Sequence, residues 1–323
     1  MGRRETMRVK CLRISVTDRC NLRCVYCRPP DDCDFINQNE ILTFEEIHRI
    51  VRLFADCGID RVRLTGGEPL VRRNMTSLIA RLAAIKDIKE LTLTTNGVWL
   101  QPMADKLKAA GLDRVNISVD SLEAENYKQI TGCDVLSRVV DGIHKAIEVG
   151  LQPVKVNAVI LRGINHSQIP ALAGMSIDLP VTVRFIEYCP TNKNTHPAND
   201  YMPYSEIRNV IERAFGPLSN AAIGRSSGPA LYFKIKDSAG AIGFIAGRST
   251  TFCRSCNRIR LTSDGKIKPC LYSAHTYDLK RLIRSRASDR QMRDLLKRII
   301  SEKGNYTKLN SLKEEFSMCK VGG

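Results

Sequence analysis

The 323-residue sequence has few aromatic side chains, 6 % in all with a single tryptophan. So few rings give little support for a platform on which successive nucleobases would stack. It lacks any apolar run long enough to cross a bilayer and any leader-like segment, so a soluble, cytoplasmic chain with no membrane partner is expected. No internal repeat or low-complexity tract interrupts it. Its twelve cysteines fall well short of the density of small secreted scaffolds, which argues against a disulfide framework. Acidic residues are also in the minority, 34 against 50 Lys plus Arg, for a formal net charge of +16. That surplus suits an anionic ligand, either nucleic acid or a polyphosphate, and charge alone does not separate the two. Much of it lies between residues 280 and 303, where Arg281, Arg284, Arg286, Arg290, Arg293, Lys297 and Arg298 scatter around a helical stretch and read as a solvated face.

What the chain does have is two separate three-cysteine sets. Cys20, Cys24 and Cys27 stand close together near the start, and Cys253, Cys256 and Cys270 lie near the end. Each set supplies one thiolate fewer than a four-iron cube or a tetrahedral zinc requires, which predicts two metal centres, each with an open coordination position. In the first set, spacings of three and then two residues can wrap three corners of a cubic cluster, and Tyr26 directly precedes the last thiol.

From residue 11 to 187, strands and helices alternate. Apolar β-type runs occupy residues 12–16, 62–65, 91–95, 115–119, 154–160 and 181–186. Helical patterns lie between them, the clearest opening on the capping box Thr43 to Glu46 and closing at Gly58. Others cover residues 75–85, 103–110 and 137–149. Six strands with right-handed crossovers predict an incomplete (βα)6 TIM-type barrel over residues 1–220, with a smaller domain over 221–323. Its mouth would gather the cysteine loop, Gly66-Gly67-Glu68-Pro69, Asn96-Gly97, and Ser118 with Asp120, all at the carboxyl ends of strands, where such folds place their sites.

Between Cys256 and Cys270 an Asp264-Gly265 turn predicts a hairpin that brings those thiols together. His275, five residues beyond, leaves a Cys3His zinc site open as the alternative to a cluster. Arg258 and Arg260 favour the cluster reading with a phosphate ligand, because residues two apart in a strand share a face and guanidinium forks match phosphate oxygens.

These motifs together resemble the radical S-adenosylmethionine (SAM) family of GTP 3′,8-cyclases of molybdenum cofactor biosynthesis. The resemblance rests on residues 12–21, 63–70, 94–97 and 184–187, on the hairpin 253–270, and on the terminal Gly322-Gly323. It implies a radical SAM barrel in which Cys20, Cys24 and Cys27 hold one 4Fe-4S cluster, and Cys253, Cys256 and Cys270 a second that faces the purine. By the same resemblance Tyr26, Gly67, Ser118 and Cys189 correspond to contacts to SAM. Arg13, Arg61, Arg63, Thr94, Lys155, Arg184 and the run Arg258-Ile259-Arg260 correspond to contacts to GTP. Arg258, Arg260, Gly322 and Gly323 would also serve catalysis, the glycine tail reaching into the site.

The implied chemistry is removal of the ribose C3′ hydrogen by a 5′-deoxyadenosyl radical, then attack of the carbon radical on guanine C8. Implied partners are an electron donor of flavodoxin or ferredoxin type and a downstream cyclic pyranopterin phosphate synthase, with no nucleic acid; the chain is compatible with a homodimer. Two positions depart from the family: Cys189 stands where a methionine is usual, and Arg28 replaces the methionine after the first cysteine set. The competing functions are a radical SAM enzyme acting on RNA or peptide, and a zinc-stabilised nucleic-acid-binding protein.

Overall fold

The computed structural model describes residues 9–27, 35–189, 200–221, 230–249, 256–306 and 321–322. Cys253, Gly323 and Arg28 lie outside the described residues. Six parallel strands form the centre of the sheet: β1 (Cys11–Ser15), β2 (Arg61–Thr65), β3 (Glu90–Thr95), β4 (Arg114–Ser118), β5 (Val154–Ile160) and β6 (Val181–Glu187). They pair in sequence order, as right-handed crossovers require.

Along these strands alternate positions have opposite chemistry. Leu12, Ile14, Val62, Leu64, Leu91, Leu93, Val115 and Ile117 are 2 % exposed or less and join the apolar core under the helices. The intervening residues Arg13, Arg63, Thr92, Asn116 and Lys155 are polar and share the other face. That two-residue period builds a barrel with an apolar wall and a charged interior.

The crossovers are α1 (Phe44–Asp56), α2 (Met75–Ala83), α3 (Leu100–Ala109), α4 (Ala124–Thr131), α5 (Leu136–Glu148) and α6 (Ile169–Asp178). The Thr43 and Glu46 capping box opens α1 as expected, with Glu46 N donating to Thr43 Oγ1 at 3.2 Å and Thr43 N to Glu46 Oε2 at 2.8 Å. Sequence patterns do not reveal α4, whose short, charged segment has a weak apolar stripe and is stopped by Gly132 at φ +74°. They also miss α6, which follows a 3-10 turn and carries Pro170 in its first turn.

Beyond β6, α7 (Tyr204–Phe215) leads to β7 (Ser219–Asn220), β8 (Leu231–Lys234) and β9 (Ala241–Ile245). The later strands are β10 (Arg258–Leu261), β11 (Lys266–Lys268) and β12 (Tyr277–Asp278). They extend both edges of the central sheet. β9 runs parallel to β6, and β10 runs parallel to β1 with Arg13 opposite Arg260. Strands on either side of residue 220 therefore belong to one twelve-stranded sheet.

The basic stretch folds as α8 (Leu279–Arg284) and α9 (Asp289–Ser301), separated where Ser288 caps the second helix. Its charges do more than face water. Arg284 Nε reaches Glu46 at 2.9 Å, Arg293 Nη1 reaches Asp56 at 3.1 Å, and Lys280 pairs with Glu40. These partly exposed pairs align α8 and α9 against α1, while buried Met292, Leu296 and Ile299 supply the apolar contact.

Candidate active site

At the barrel mouth the first cysteine loop is held by backbone contacts on two sides. Arg23 N and Val25 N donate to the carbonyls of Thr131 and Ile130 at 2.9 and 3.0 Å, so the loop satisfies the free carbonyl end of α4. On the opposite side Gly67 N and Glu68 N donate to Thr17 O and Arg19 O, both at 2.7 Å. A Cβ on Gly67 would lie 2.1 Å from the Arg19 carbonyl, so only glycine permits this approach.

Glu68, buried to 1 % exposure, accepts from Asn96 N at 2.6 Å, Leu70 N at 2.9 Å and the Thr95 hydroxyl at 2.7 Å. Burial pushes its carboxyl up to about 7 despite those donors. Asn96 Nδ2 in turn lies 3.8 Å from Cys20 Sγ. Tyr26 donates its hydroxyl to Asp120 Oδ2 at 2.6 Å, and Val159 N donates to Asp120 Oδ1 at 2.8 Å. Burial raises the Asp120 carboxyl to about 6. Ser118, at the end of β4, pairs with Asn157 of β5.

Inside the barrel the polar positions form a belt of cations. Register places Arg13 between Arg260 on β10 and Arg63 on β2, and Lys155 opposite Asn116 and Thr182. Arg184 donates Nη2 to Asn116 Oδ1 at 2.8 Å, and Asn116 donates to Thr94 Oγ1 at 3.4 Å. Arg63 Nε meets Thr92 Oγ1 at 3.2 Å, and Lys155 Nζ meets the Tyr232 hydroxyl at 3.3 Å. Arg13, Lys155, Arg184 and Arg260 are each exposed by 9 % or less.

The belt is electrostatically tense. Burial, then Arg260, Arg63 and Arg258, hold Arg13 well below its ordinary value. Burial, then Arg184, Arg114 and Arg63, lower Lys155 to about 6. Arg184 falls to about 9 and Arg260 to about 10, in both cases mainly by burial. Like charges brought together out of water favour an anion among them. Arg61 stands at the foot of the barrel, 3.7 Å from Asp60 and 3.9 Å from Glu90, apart from the densest part of the belt.

The expected hairpin is present: Arg260 pairs with Lys268, and Gly265 turns at φ +83°. Cys256 precedes β10 by two residues and Cys270 follows β11 by two, so the hairpin returns both to one end. Burial pushes the Cys256 thiol up, but the Arg258 guanidinium and then Lys303 outweigh it and hold the thiol below its usual value. His275 is exposed and packed against Tyr277, with ring centroids 4.5 Å apart, and stacked on Tyr306 at 5.7 Å. It does not converge with Cys256 and Cys270: among the described residues no three His, Cys, Asp or Glu side chains meet at a single-ion position.

Gly322 occupies the barrel mouth. Its carbonyl accepts from Arg260 Nη1, and a Cβ there would lie 2.7 Å from Thr65 Cγ2 and 3.4 Å from Ser15 Cβ. Cys189 Sγ is 3.1 Å from the Tyr272 hydroxyl, two residues beyond Cys270, which places it beside the second hairpin. Asn116 and Tyr232 were not anticipated. Asn116 was legible as an inward position on β4, but Tyr232 reaches Lys155 from β8, which no local pattern connects to β5.

The thiols of Cys20, Cys24 and Cys27 are free of disulfides and partly buried on one loop. Burial, Asp120, Cys27 and Cys20 drive the Cys24 thiol well above its usual value. Soft donors that penalise one another's ionisation suit a polynuclear iron–sulfur centre, whose cationic irons remove that penalty.

Comparison with known proteins agrees with this donor set. Residues 14–175 match the Radical SAM superfamily, and residues 181–309 match the family described as Molybdenum Cofactor Synthesis C. The chain is 43 % identical over 314 residues to a GTP 3′,8-cyclase of Pelotomaculum thermopropionicum, covering 97 % of each. It is 40 % identical over 319 residues to that of Geobacter sulfurreducens, covering 98 % of this chain and 97 % of the relative. Among solved structures, Streptococcus suis SuiB bound to S-adenosylmethionine is similar with a TM-score of 0.64 at 17 % identity, covering 89 % of this chain and 68 % of SuiB, a likeness of fold alone.

Proposed function

The chain belongs to the GTP 3′,8-cyclase family of the radical SAM superfamily, and on that footing we propose that it cyclises GTP to 3′,8-cyclo-7,8-dihydro-GTP, the first step of molybdenum cofactor biosynthesis. The observation that carries this reading is the belt of buried Arg13, Lys155, Arg184 and Arg260 with part-buried Arg63. Its charges converge from β1, β2, β5, β6 and β10 and suit a triphosphate.

Cys20, Cys24 and Cys27 would hold a 4Fe-4S cluster. With SAM on its open iron, this cluster would supply the 5′-deoxyadenosyl radical that takes the C3′ hydrogen. Tyr26, Gly67, Ser118 and the backbone at Cys189 would line the SAM site. Cys253, Cys256 and Cys270 would hold a second cluster beside the purine, next to Arg258 and Ile259.

The protein's task is then positional. The triphosphate anchored on the belt fixes the ribose at a set depth below the mouth, so that C3′ faces the hydrogen-abstracting radical and C8 stays within reach of C3′. Arg260, which also holds the Gly322 carbonyl, links substrate anchoring to the tail. Thr94 and Asn116 orient Arg184 from the neighbouring strands. An external one-electron donor of flavodoxin or ferredoxin type and a cyclic pyranopterin phosphate synthase that consumes the product complete the cytoplasmic setting of this reading.

The test is anaerobic reconstitution followed by incubation with GTP, SAM and dithionite. Two 4Fe-4S clusters per chain and a cyclised nucleotide are expected, the latter identified by a chromatographic retention distinct from that of GTP, with which it is isomeric, and by its acid-derived pterin. Stoichiometric zinc with only four irons, or SAM cleavage without any modified GTP, would overturn it.

A further inference from the structure

The largest fully buried side chain among the described residues is Tyr127, on α4, at 1 % exposure. Its hydroxyl has no hydrogen-bond partner among the described residues. Tyrosine is kept inside a core when its polar end finds an acceptor, since a phenol deprived of water and of a partner is costly. The ring lies one turn before the helix end on which the first cysteine loop rests: Thr131 Oγ1 donates to Tyr127 O at 2.8 Å, and Thr131 O and Ile130 O accept from Arg23 and Val25. Cys133, just past that helix, reaches Asn21 O with its Sγ at 3.7 Å, closing the same contact from the other side. Cys20 and Cys24 pack against the cluster of core residues to which Tyr127 belongs.

The surroundings of the hydroxyl are acceptors. Burial raises the phenol, and the ionisable groups acting on it are, in order, Cys24, Asp120, Cys133 and Cys20. Asp120 already receives Tyr26 on one oxygen and Val159 N on the other. Cys133 directs its thiol hydrogen to Asn21 O, which leaves the sulfurs of the first set as the strong acceptors.

We propose that Tyr127 donates its hydroxyl hydrogen to a sulfur of the first cluster, the Cys24 thiolate or an adjoining sulfide, and so sets that cluster's reduction potential. Tyr127 is a positioning residue, acting on the reaction only through the cluster. A donor to a cluster sulfur stabilises the reduced, more negative form, so the bond raises the potential and makes the centre easier to reduce. The inference rests on the reading that Cys20, Cys24 and Cys27 hold a 4Fe-4S cluster.

The test compares the reconstituted parent with Tyr127→Phe, which keeps the ring and removes the donor, and with 3-fluorotyrosine at position 127, which keeps the ring and strengthens the donor. Iron and sulfide contents are measured first. Potentiometric titration followed by electron paramagnetic resonance then reads each cluster, the first recognised by its change of signal when SAM is added. The potential of the first cluster should move negative in Tyr127→Phe and positive with 3-fluorotyrosine, that of the second staying where it is. Fully loaded variants with the parent's potential would overturn the role of Tyr127. If the phenylalanine variant does not load, an unshifted potential with 3-fluorotyrosine overturns it alone. A parent that holds no cluster at this loop overturns the proposal together with the reading beneath it.

Discussion

The charged groups that act on Cys24 are an acid and its fellow thiols, and those that act on Cys256 are cations. Cys24 is driven up by burial and then by Asp120 and its fellow thiols. Cys256 is held down by Arg258 and Lys303 against the opposing effect of burial. Those neighbours oppose ionisation of Cys24, while Tyr26 donates its hydroxyl to Asp120. The field at Cys256 favours thiolate, and Arg258, its larger source, stands two positions along β10 from Arg260 of the cationic belt. On the proposed reading, one loop would hold a redox centre and the other a centre that shares its electrostatics with an anionic substrate, each with a separate part in one reaction.

The sharpest way to break this comparison is to remove one thiol from each set. Cys20→Ala should abolish formation of 5′-deoxyadenosine, whereas Cys256→Ala should retain some uncoupled cleavage and lose the cyclised nucleotide. Equal loss of cleavage in both variants would mean that the sets do not divide the work.

A smaller effect is expected from the tail, which meets the belt at Arg260. Gly322 adopts φ +79°, and a Cβ there would press on Thr65. Strain of about 1–2 kcal/mol from the left-handed backbone, with the added clash, should cut cyclised product roughly tenfold or more in Gly322→Ala while iron content stays unchanged. Deleting Gly322 and Gly323 should have the same outcome with GTP binding largely retained. Product formation at the parent rate would leave the tail without a role.

Arg258→Ala and Arg260→Ala should each weaken GTP binding by about 1–3 kcal/mol, the scale of a lost charge-assisted hydrogen bond, with both clusters assembled. Calorimetry or filter binding measures this. Unchanged affinity in both would detach the second set from the substrate.

The smallest and most specific effect concerns pH. With its amine lowered to about 6, Lys155 is mostly neutral at pH 8 in the GTP-free protein. A triphosphate favours the ammonium, so binding takes up about one proton, and affinity falls by up to roughly tenfold per unit as pH rises above 6. Calorimetry in buffers of differing ionisation enthalpy reads the uptake directly, and Lys155→Arg, charged throughout, should flatten the profile. A flat profile in the parent would mean that Lys155 is already charged before GTP binds.

Much of this architecture was legible because its signals are local. Six strand patterns, the Thr43 capping box and the Asp264-Gly265 turn each depend on neighbouring residues, and the structure places all of them within a residue or two of expectation. Helix α4 escaped because its stability comes less from its own apolar stripe than from docking, through Ile130 and Tyr127 in the core and through carbonyls that accept from the cysteine loop. The charges of α8 and α9 were read as solvated, since a sequence shows a charge and not the partner on α1 that meets it.

By itself the sequence determined the donor chemistry: thiols at set spacing, glycines where backbones must touch, and cations at alternate strand positions. Only the tertiary structure decided which of these meet. Parallel pairing of β10 beside β1 sets Arg260 next to Arg13, although 247 residues of sequence separate them, and β9 beside β6 carries Tyr232 of the adjoining strand to Lys155. Side-chain type and spacing act through bonds and neighbours along the chain, whereas the sign of a thiol's surroundings and the height of a buried lysine's pKa come from charges brought near through space in a medium that screens them poorly.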